Sequence, residues 1–108
     1  MHFQPRNWME KFSEVLKKHI SNPEINNALL ASEMNMSERQ FYRTLERETG
    51  MTPNHYIREC RMEIAAELLR SGEYRTVKEI AMRVGFIKVS YFSKLFYESE
   101  GVRPSELL

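Results

Sequence analysis

Apolar positions along the chain recur three and four residues apart, and no stretch alternates with period two. Trp8, Phe12, Val15, Leu16 and Ile20 share one helical face, with Glu10, Lys11, Lys17 and Lys18 on the other. Before them, Met1 to Asn7 reads as a loose leader. Asn22-Pro23 ends the helix, because the residue before a proline is pushed out of the α region. Asn26 then caps a short helix from Asn27 to about Met34, with Leu30, Ala31 and Met34 inward and Ile25 and Leu30 spanning the cap as a hydrophobic staple. Asn35-Met36 makes a turn. Ser37 and Gln40 form a capping box that opens a new helix, Phe41 and Leu45 face inward four apart, and Gly50 supplies the left-handed stop.

The pattern restarts at Thr52-Pro53, a cap followed by proline at the first helical position. This helix runs to about Ser71, with Gly72 after it, and carries Tyr56, Ile57, Ile64, Ala65, Leu68 and Leu69 as its apolar set. It is ~28 Å long at 1.5 Å per residue. Thr76 and Glu79 make a second capping box for a helix over Val77 to Val84, with Ile80, Ala81 and Val84 inward. Gly85 turns the chain and Phe86 plugs the corner. A further helix places Phe92, Leu95 and Phe96 against the core and ends at Gly101, and Pro104 starts a last short turn. The expected fold is all-α, with about seven helices and no strand.

The two halves are copies. Ala31 matches Ala81, Met34 matches Val84 and Met36 matches Phe86 at one offset; the second copy then has one extra residue at the turn. After it Phe41 matches Phe92, Arg43 matches Lys94, Leu45 matches Phe96, Gly50 matches Gly101 and Pro53 matches Pro104. Short helix, brief turn, longer helix is the helix-turn-helix plan. The chain therefore divides into residues 1–52 (an N-terminal helix plus a first unit), 53–72 (a linker helix) and 73–108 (a second unit), one DNA-binding domain overall. Two such units suit a ligand that is long and repetitive, and duplex DNA is the obvious one.

Composition changes this picture at one point. Sixteen Lys and Arg stand against fifteen Asp and Glu, whereas nucleic-acid binders usually carry a marked basic excess. Residues 25–51 hold three basic and four acidic side chains, and residues 76–108 hold five and four. Any positive field must come from segregation onto one face, with Glu33, Glu46 and Glu48 turned away. Cys60 is the sole cysteine, which rules out an internal disulfide or a cysteine-cluster zinc site, and its helical register makes it a small core or boundary residue. No apolar run spans a membrane and no signal peptide is evident, so a cytoplasmic location is expected. His2, His19 and His55 are scattered, and no phosphate loop or nucleophile set can be placed, so neither an enzyme nor any cofactor or metal is expected.

Arg61-Met62, Ala65, Leu68-Leu69, Glu79-Ile80-Ala81, Gly85-Phe86, Ser90-Tyr91-Phe92-Ser93-Lys94, Phe96, Gly101 and Pro104 together resemble the DNA-binding domain of the AraC/XylS family of bacterial transcription regulators. The resemblance covers roughly Asn22 to the C-terminus. It implies two helix-turn-helix units bridged by one long helix, binding to adjacent major-groove segments, and transcription regulation. The sequence departs from the family pattern at Ile87, Tyr97, Glu98, Glu100, Arg103 and Leu107.

Recognition helices meet base edges with the outward residues of their N-terminal turns. In the first copy (about 38–48) these are Glu38, Arg39, Tyr42 and Arg43, with Arg47 a turn further and Ser37 at the helix start. Arg39 and Arg43, four apart, point the same way. The competing reading pairs these arginines with Glu46 and Glu38 in solvent; inside this motif the DNA-facing reading prevails. In the second copy (about 88–100) the equivalent positions are Lys88, Val89, Ser90, Ser93 and Lys94. Val89 is suited to a thymine methyl or is simply a tolerated valine, and Ser90 and Ser93 also fit helix-start and backbone-bonding roles. Arg58 and Arg61 are core-edge braces or phosphate contacts, with bracing favoured for Arg61.

Expected partners are double-stranded operator DNA and, as a candidate, RNA polymerase. No membrane or small molecule is expected, and any dimerisation would use a separate domain. The start of the first helix near Trp8 fits the C-terminal output piece of a larger regulator better than a stand-alone one. The rival reading is a helical protein-interaction module of a larger regulator, using Tyr91 and Tyr97 if they are exposed.

Overall fold

The computed structural model describes residues 7–108; the leader expected over residues 1–7 lies outside them, save for Asn7, which already belongs to the first helix. Among the described residues there are six α-helices and one closing 3-10 turn, and no strand: α1 (Asn7–His19), α2 (Asn27–Glu33), α3 (Glu38–Thr49), α4 (Pro53–Ser71), α5 (Val77–Arg83), α6 (Val89–Glu100) and the turn Pro104–Leu107. No helix among them is long and apolar enough to cross a membrane.

Nearly every expected stop and start is where its chemistry places it. Asn26 Oδ1 accepts the Leu29 N–H at 2.8 Å, and in the Ser37–Gln40 box each side chain takes the other residue's N–H, at 3.1 and 3.0 Å. Thr76 and Glu79 do the same, each accepting at 3.1 Å. One end differs from expectation. α1 stops at His19, three residues before Asn22. The backbone around Asn22 is committed elsewhere: its Oδ1 accepts the Glu24 N–H at 2.9 Å and its carbonyl is held by Arg61.

The chain forms two compact units. Unit 1 comprises residues 7–19 of the described chain and Ile25–Tyr56; unit 2 comprises Ile20–Glu24 and Ile57–Leu108. The compact units thus cut α4 after its first turn, so most of the helix read as a linker is part of the second unit's core.

In unit 1 the buried residues are Phe12, Val15 and Leu16 from α1, Leu30, Ala31 and Met34 from α2, and Phe41 and Leu45 from α3. Phe12 is its aromatic centre, with ring centroids 5.4 Å from Phe41, 5.5 Å from Trp8 and 6.1 Å from Tyr56. Trp8 Nε1–H points at the Met36 sulfur at 3.2 Å, which ties the first helix to the turn. Burying such aromatic side chains is worth ~3 kcal/mol each before entropy is charged against it.

Unit 2 packs Met62, Ala65, Ala66 and Leu69 of α4 against Ile80, Ala81 and Val84 and against Phe92, Leu95 and Phe96. Met62 and Ala66 were absent from the apolar set read from periodicity, because an all-round mixed helix hides which of its faces is covered. Cys60 is half-buried, at the boundary as expected.

Candidate nucleic-acid interface

Each unit contains the same corner. After α2 the Met36 N–H donates to the Ala31 carbonyl at 2.9 Å; after α5 the Phe86 N–H donates to the Ala81 carbonyl at 2.8 Å. The residue before each of these takes the left-handed conformation, Asn35 at φ 58° and Gly85 at φ 88°. The corner sends the chain directly into α3 in one unit and, one residue later, into α6 in the other. Phe41 and Leu45, like Phe92 and Phe96, are fully buried, so the opposite side of each helix is set toward solvent by its own core.

On α3 all the predicted residues are exposed: Ser37, Glu38, Arg39, Tyr42, Arg43 and Arg47. Tyr42 is 39 % exposed, the least open of the exposed large apolar side chains among the described residues. Arg47 Nε lies 4.0 Å from its neighbour Glu48, a loose surface contact. Among the described residues neither Arg39 nor Arg43 has an ion-pair partner, so the expected competition from Glu46 and Glu38 does not occur. Glu33 faces the other way: its carboxylate lies 3.3 Å from His19 Nε2 and 3.5 Å from Lys18 Nζ. The His19 hydrogen bond, then the Lys18 charge, holds this carboxyl below the usual range. Glu33 is thereby bound to α1, whereas Glu38, Glu46 and Glu48 are exposed on α3 as its arginines are.

On α6, Lys88, Ser90 and Lys94 are exposed, while Val89 and Ser93 are half-buried. Val89 packs against the unit 2 core, so only part of its surface is left for a ligand. Lys88 occupies the cap position with no side-chain hydrogen bond, in contrast to Ser37. Tyr91 and Tyr97 are 50 % and 55 % exposed, and Ile87 is 77 % exposed. Ile87 and Tyr91 fell outside the residues expected to meet DNA; the extra residue of the second turn and the departure of Ile87 from the family pattern were the signs that this surface would differ.

Arg61 resolves to a brace. It is 9 % exposed, its Nη2 donates to the Asn22 carbonyl at 2.8 Å, and its Cζ lies 5.6 Å from the Phe86 ring centroid. Burial pushes the guanidinium pKa down, and its Nε–H is buried without a partner. Arg58 stays exposed.

The helix-turn-helix domain family matches residues 30–108, which takes in both corners and both exposed helices. The chain belongs to the AraC-type helix-turn-helix family of DNA-binding domains. Its sequence is 34 % identical over 92 residues to the transcriptional activator RhaS of Shigella boydii, covering 85 % of this chain and 32 % of that protein. The chain thus spans about a third of the length of that relative. Its structure is similar to the C-terminal domain of AraT, a response regulator from Geobacillus stearothermophilus, at TM-score 0.80 and 32 % identity, covering 99 % of this chain and 86 % of that one. It is also similar to the DNA-binding domain of the global transcriptional factor AdpA in complex with a target DNA, at TM-score 0.78 and 26 % identity, covering 91 % and 86 %. The family's all-helical, two-corner plan is the one seen here.

Proposed function

We propose that this chain is the sequence-reading output domain of a bacterial transcription regulator, acting in the cytoplasm by inserting α3 and α6 into adjacent major-groove segments of one operator. Ser37, Glu38, Arg39, Tyr42, Arg43 and Arg47 contact the first segment; Lys88, Val89, Ser90, Ser93 and Lys94 contact the second. The observation that carries the reading is the unpaired, outward pair Arg39 and Arg43, four apart on a helix fixed by its own buried face. A guanidinium held this way meets guanine O6 and N7 with two hydrogen bonds.

Lys88 and Lys94 supply phosphate contacts, and the first N–H groups of α3 add neutral donors at Ser37. Because each half is nearly balanced in charge, non-specific affinity is modest and specific contacts carry the binding. RNA polymerase is a further candidate partner of this domain, and any dimerisation uses a separate domain.

The test is selection of bound duplexes from a random pool, followed by anisotropy at rising salt. Two half-sites about one helical turn apart are expected. Affinity should fall log-linearly with salt, with a slope of roughly 0.9 per phosphate neutralised. The absence of any salt-sensitive, sequence-selective binding would overturn the reading in favour of a protein-interaction module.

A further inference from the structure

The second corner carries apolar surface where the first carries polar groups. Ile87 is the residue by which the second turn is longer, and among the described residues it is the most exposed of the large apolar side chains. Tyr91, in the first turn of α6, stands edge-on to Phe86 with ring centroids 6.0 Å apart at 63°. Phe86 is itself fixed, by its N–H to Ala81, by the Phe92 ring at 5.5 Å and by Arg61. Ile87 and Tyr91 therefore project from a rigid base. Their counterparts in unit 1 differ: Tyr91 matches Gln40, which is spent on the capping box, and Ile87 has no counterpart.

The charge around them names the occupant. From Ile80 to Tyr97 the sequence contains no carboxylate, and it contains Arg83, Lys88 and Lys94. A protein partner would meet this apolar surface with no acidic group in the surrounding stretch of chain to answer one of its own cations. A polyanion meets it with phosphates placed for Lys88 and Lys94, and with apolar groups of its own in the groove. In the major groove the only apolar group on any base pair is the thymine C5-methyl. Guanine or cytosine against isoleucine would leave a polar edge desolvated and unpaired.

We infer that Ile87 and Tyr91 are specificity-determining residues that read thymine methyls in the half-site taken by α6, which makes the operator chemically asymmetric: guanine under α3, thymine under α6. The inference rests on α6 being a recognition helix, as proposed above. Val89, half-buried against the core, contributes less than either residue.

The experiment starts from duplexes selected by this chain. The half-site whose base preference relaxes in Arg43→Ala is assigned to α3, and thymines in the other half-site are replaced singly by deoxyuridine, which removes only the methyl. At the contacted positions the unaltered chain should bind about three- to five-fold more weakly, the value of burying one methyl group. I87S combined with Y91S should be indifferent to the replacement. I87S alone, at a position too exposed to matter for folding, should lose about half of the discrimination, with its circular dichroism unchanged. If every deoxyuridine duplex binds like its thymine parent while selective binding persists, or if I87S keeps the full thymine preference, the inference fails and the proposed function stands. If no selective duplex emerges, the proposed function itself fails.

Discussion

In the first unit the corner between α2 and α3 turns on Asn35 at φ 58°, an exposed residue. In the second the same corner turns on Gly85 at φ 88°, a buried residue whose absent Cβ would lie 2.6 Å from the Ile20 carbonyl oxygen and 2.9 Å from the Arg61 guanidinium. The corners share a backbone hydrogen bond and a conformation, yet they are secured differently. The first is held by Trp8 on Met36, a soft contact that a methionine accommodates. The second is clamped by a buried guanidinium that reaches past Gly85 to the Asn22 carbonyl and over Phe86. A sequence repeat therefore conceals a mechanical difference: one reading helix is set by packing, the other by a polar brace that tolerates no Cβ.

The largest effect should come from testing that brace. Gly85→Ala adds left-handed strain of roughly 1–2 kcal/mol and a steric conflict of similar size, so a loss of about 3 kcal/mol is expected in urea unfolding. Gly50→Ala, at φ 74° with nothing within 4 Å, should cost only the strain, about 1 kcal/mol. Trp8, the single tryptophan, lies in unit 1 and reports on it by fluorescence, while far-UV circular dichroism reports on every helix. Equal losses for the two alanines would mean that Arg61 and Ile20 yield readily, and the contrast between the corners would collapse.

On the binding side the same contrast predicts different losses from the two helices. Arg43→Ala should weaken specific binding by roughly 1–3 kcal/mol and relax one operator position. Lys94→Ala, at the matching position of α6, should weaken binding to all sequences alike and lower the salt slope by about 1. Anisotropy titrations on selected and scrambled duplexes at two salt concentrations separate the two behaviours. An unchanged Arg43→Ala curve places that side chain outside the interface.

Much of this was legible from residues three and four apart. Asn26, Ser37, Thr52 and Thr76 announced helix starts because a capping side chain acts within three residues of itself. Gly50 and Gly101 announced ends for the same local reason. The inward sets of α2, α3, α5 and α6 followed from one-sided patterns. What was not legible depends on distant partners. Nothing near Arg61 in sequence points to Asn22, so its burial and the early end of α1 became evident only in space. α4 is mixed around its circumference, so Met62 and Ala66 could not be sorted from its exposed residues. In the candidate site the α3 residues were all placed correctly on the surface. Val89 and Ser93 proved half-buried, Val89 because it packs against the unit 2 core, a contact that no neighbour in sequence announces, while Ile87 and Tyr91 are exposed.

Helix starts give a smaller test of the same asymmetry. Ser37→Ala removes a satisfied cap and should cost about 1 kcal/mol of stability. Lys88→Ser supplies the cap that α6 lacks and should stabilise by up to about 1 kcal/mol. If Lys88 meets a phosphate, the same change weakens DNA binding while raising the urea midpoint. A Lys88→Ser protein improved in both respects would show that this position serves neither the cap nor the DNA well.

The smallest effect concerns two carboxylates whose pKa values are both lowered, by different means. Glu33 in unit 1 is held down by its hydrogen bond to His19 and the charge of Lys18, and Glu79 in unit 2 by the backbone N–H groups of Arg75 and Thr76. A carboxyl whose folded pKa lies below its unfolded value, about 4.3 for glutamate, stabilises the fold above that pH. The contribution is lost as pH falls through the lowered folded value. Urea midpoints should therefore drop between pH 5.5 and 3, and drop less in Glu33→Gln and in Glu79→Gln, which keep an acceptor but do not titrate. Salt distinguishes the two. The partners of Glu33 are ionisable side chains at the surface, and half-molar salt screens the charged part of their hold. Glu79 accepts from peptide groups at 3.0 and 3.1 Å, which added salt does not screen comparably. The Glu33→Gln difference should shrink in salt while the Glu79→Gln difference persists. Equal shrinkage would mean that the cap of α5 depends on the charge of Arg75 rather than on its backbone, and that the two units answer acid alike.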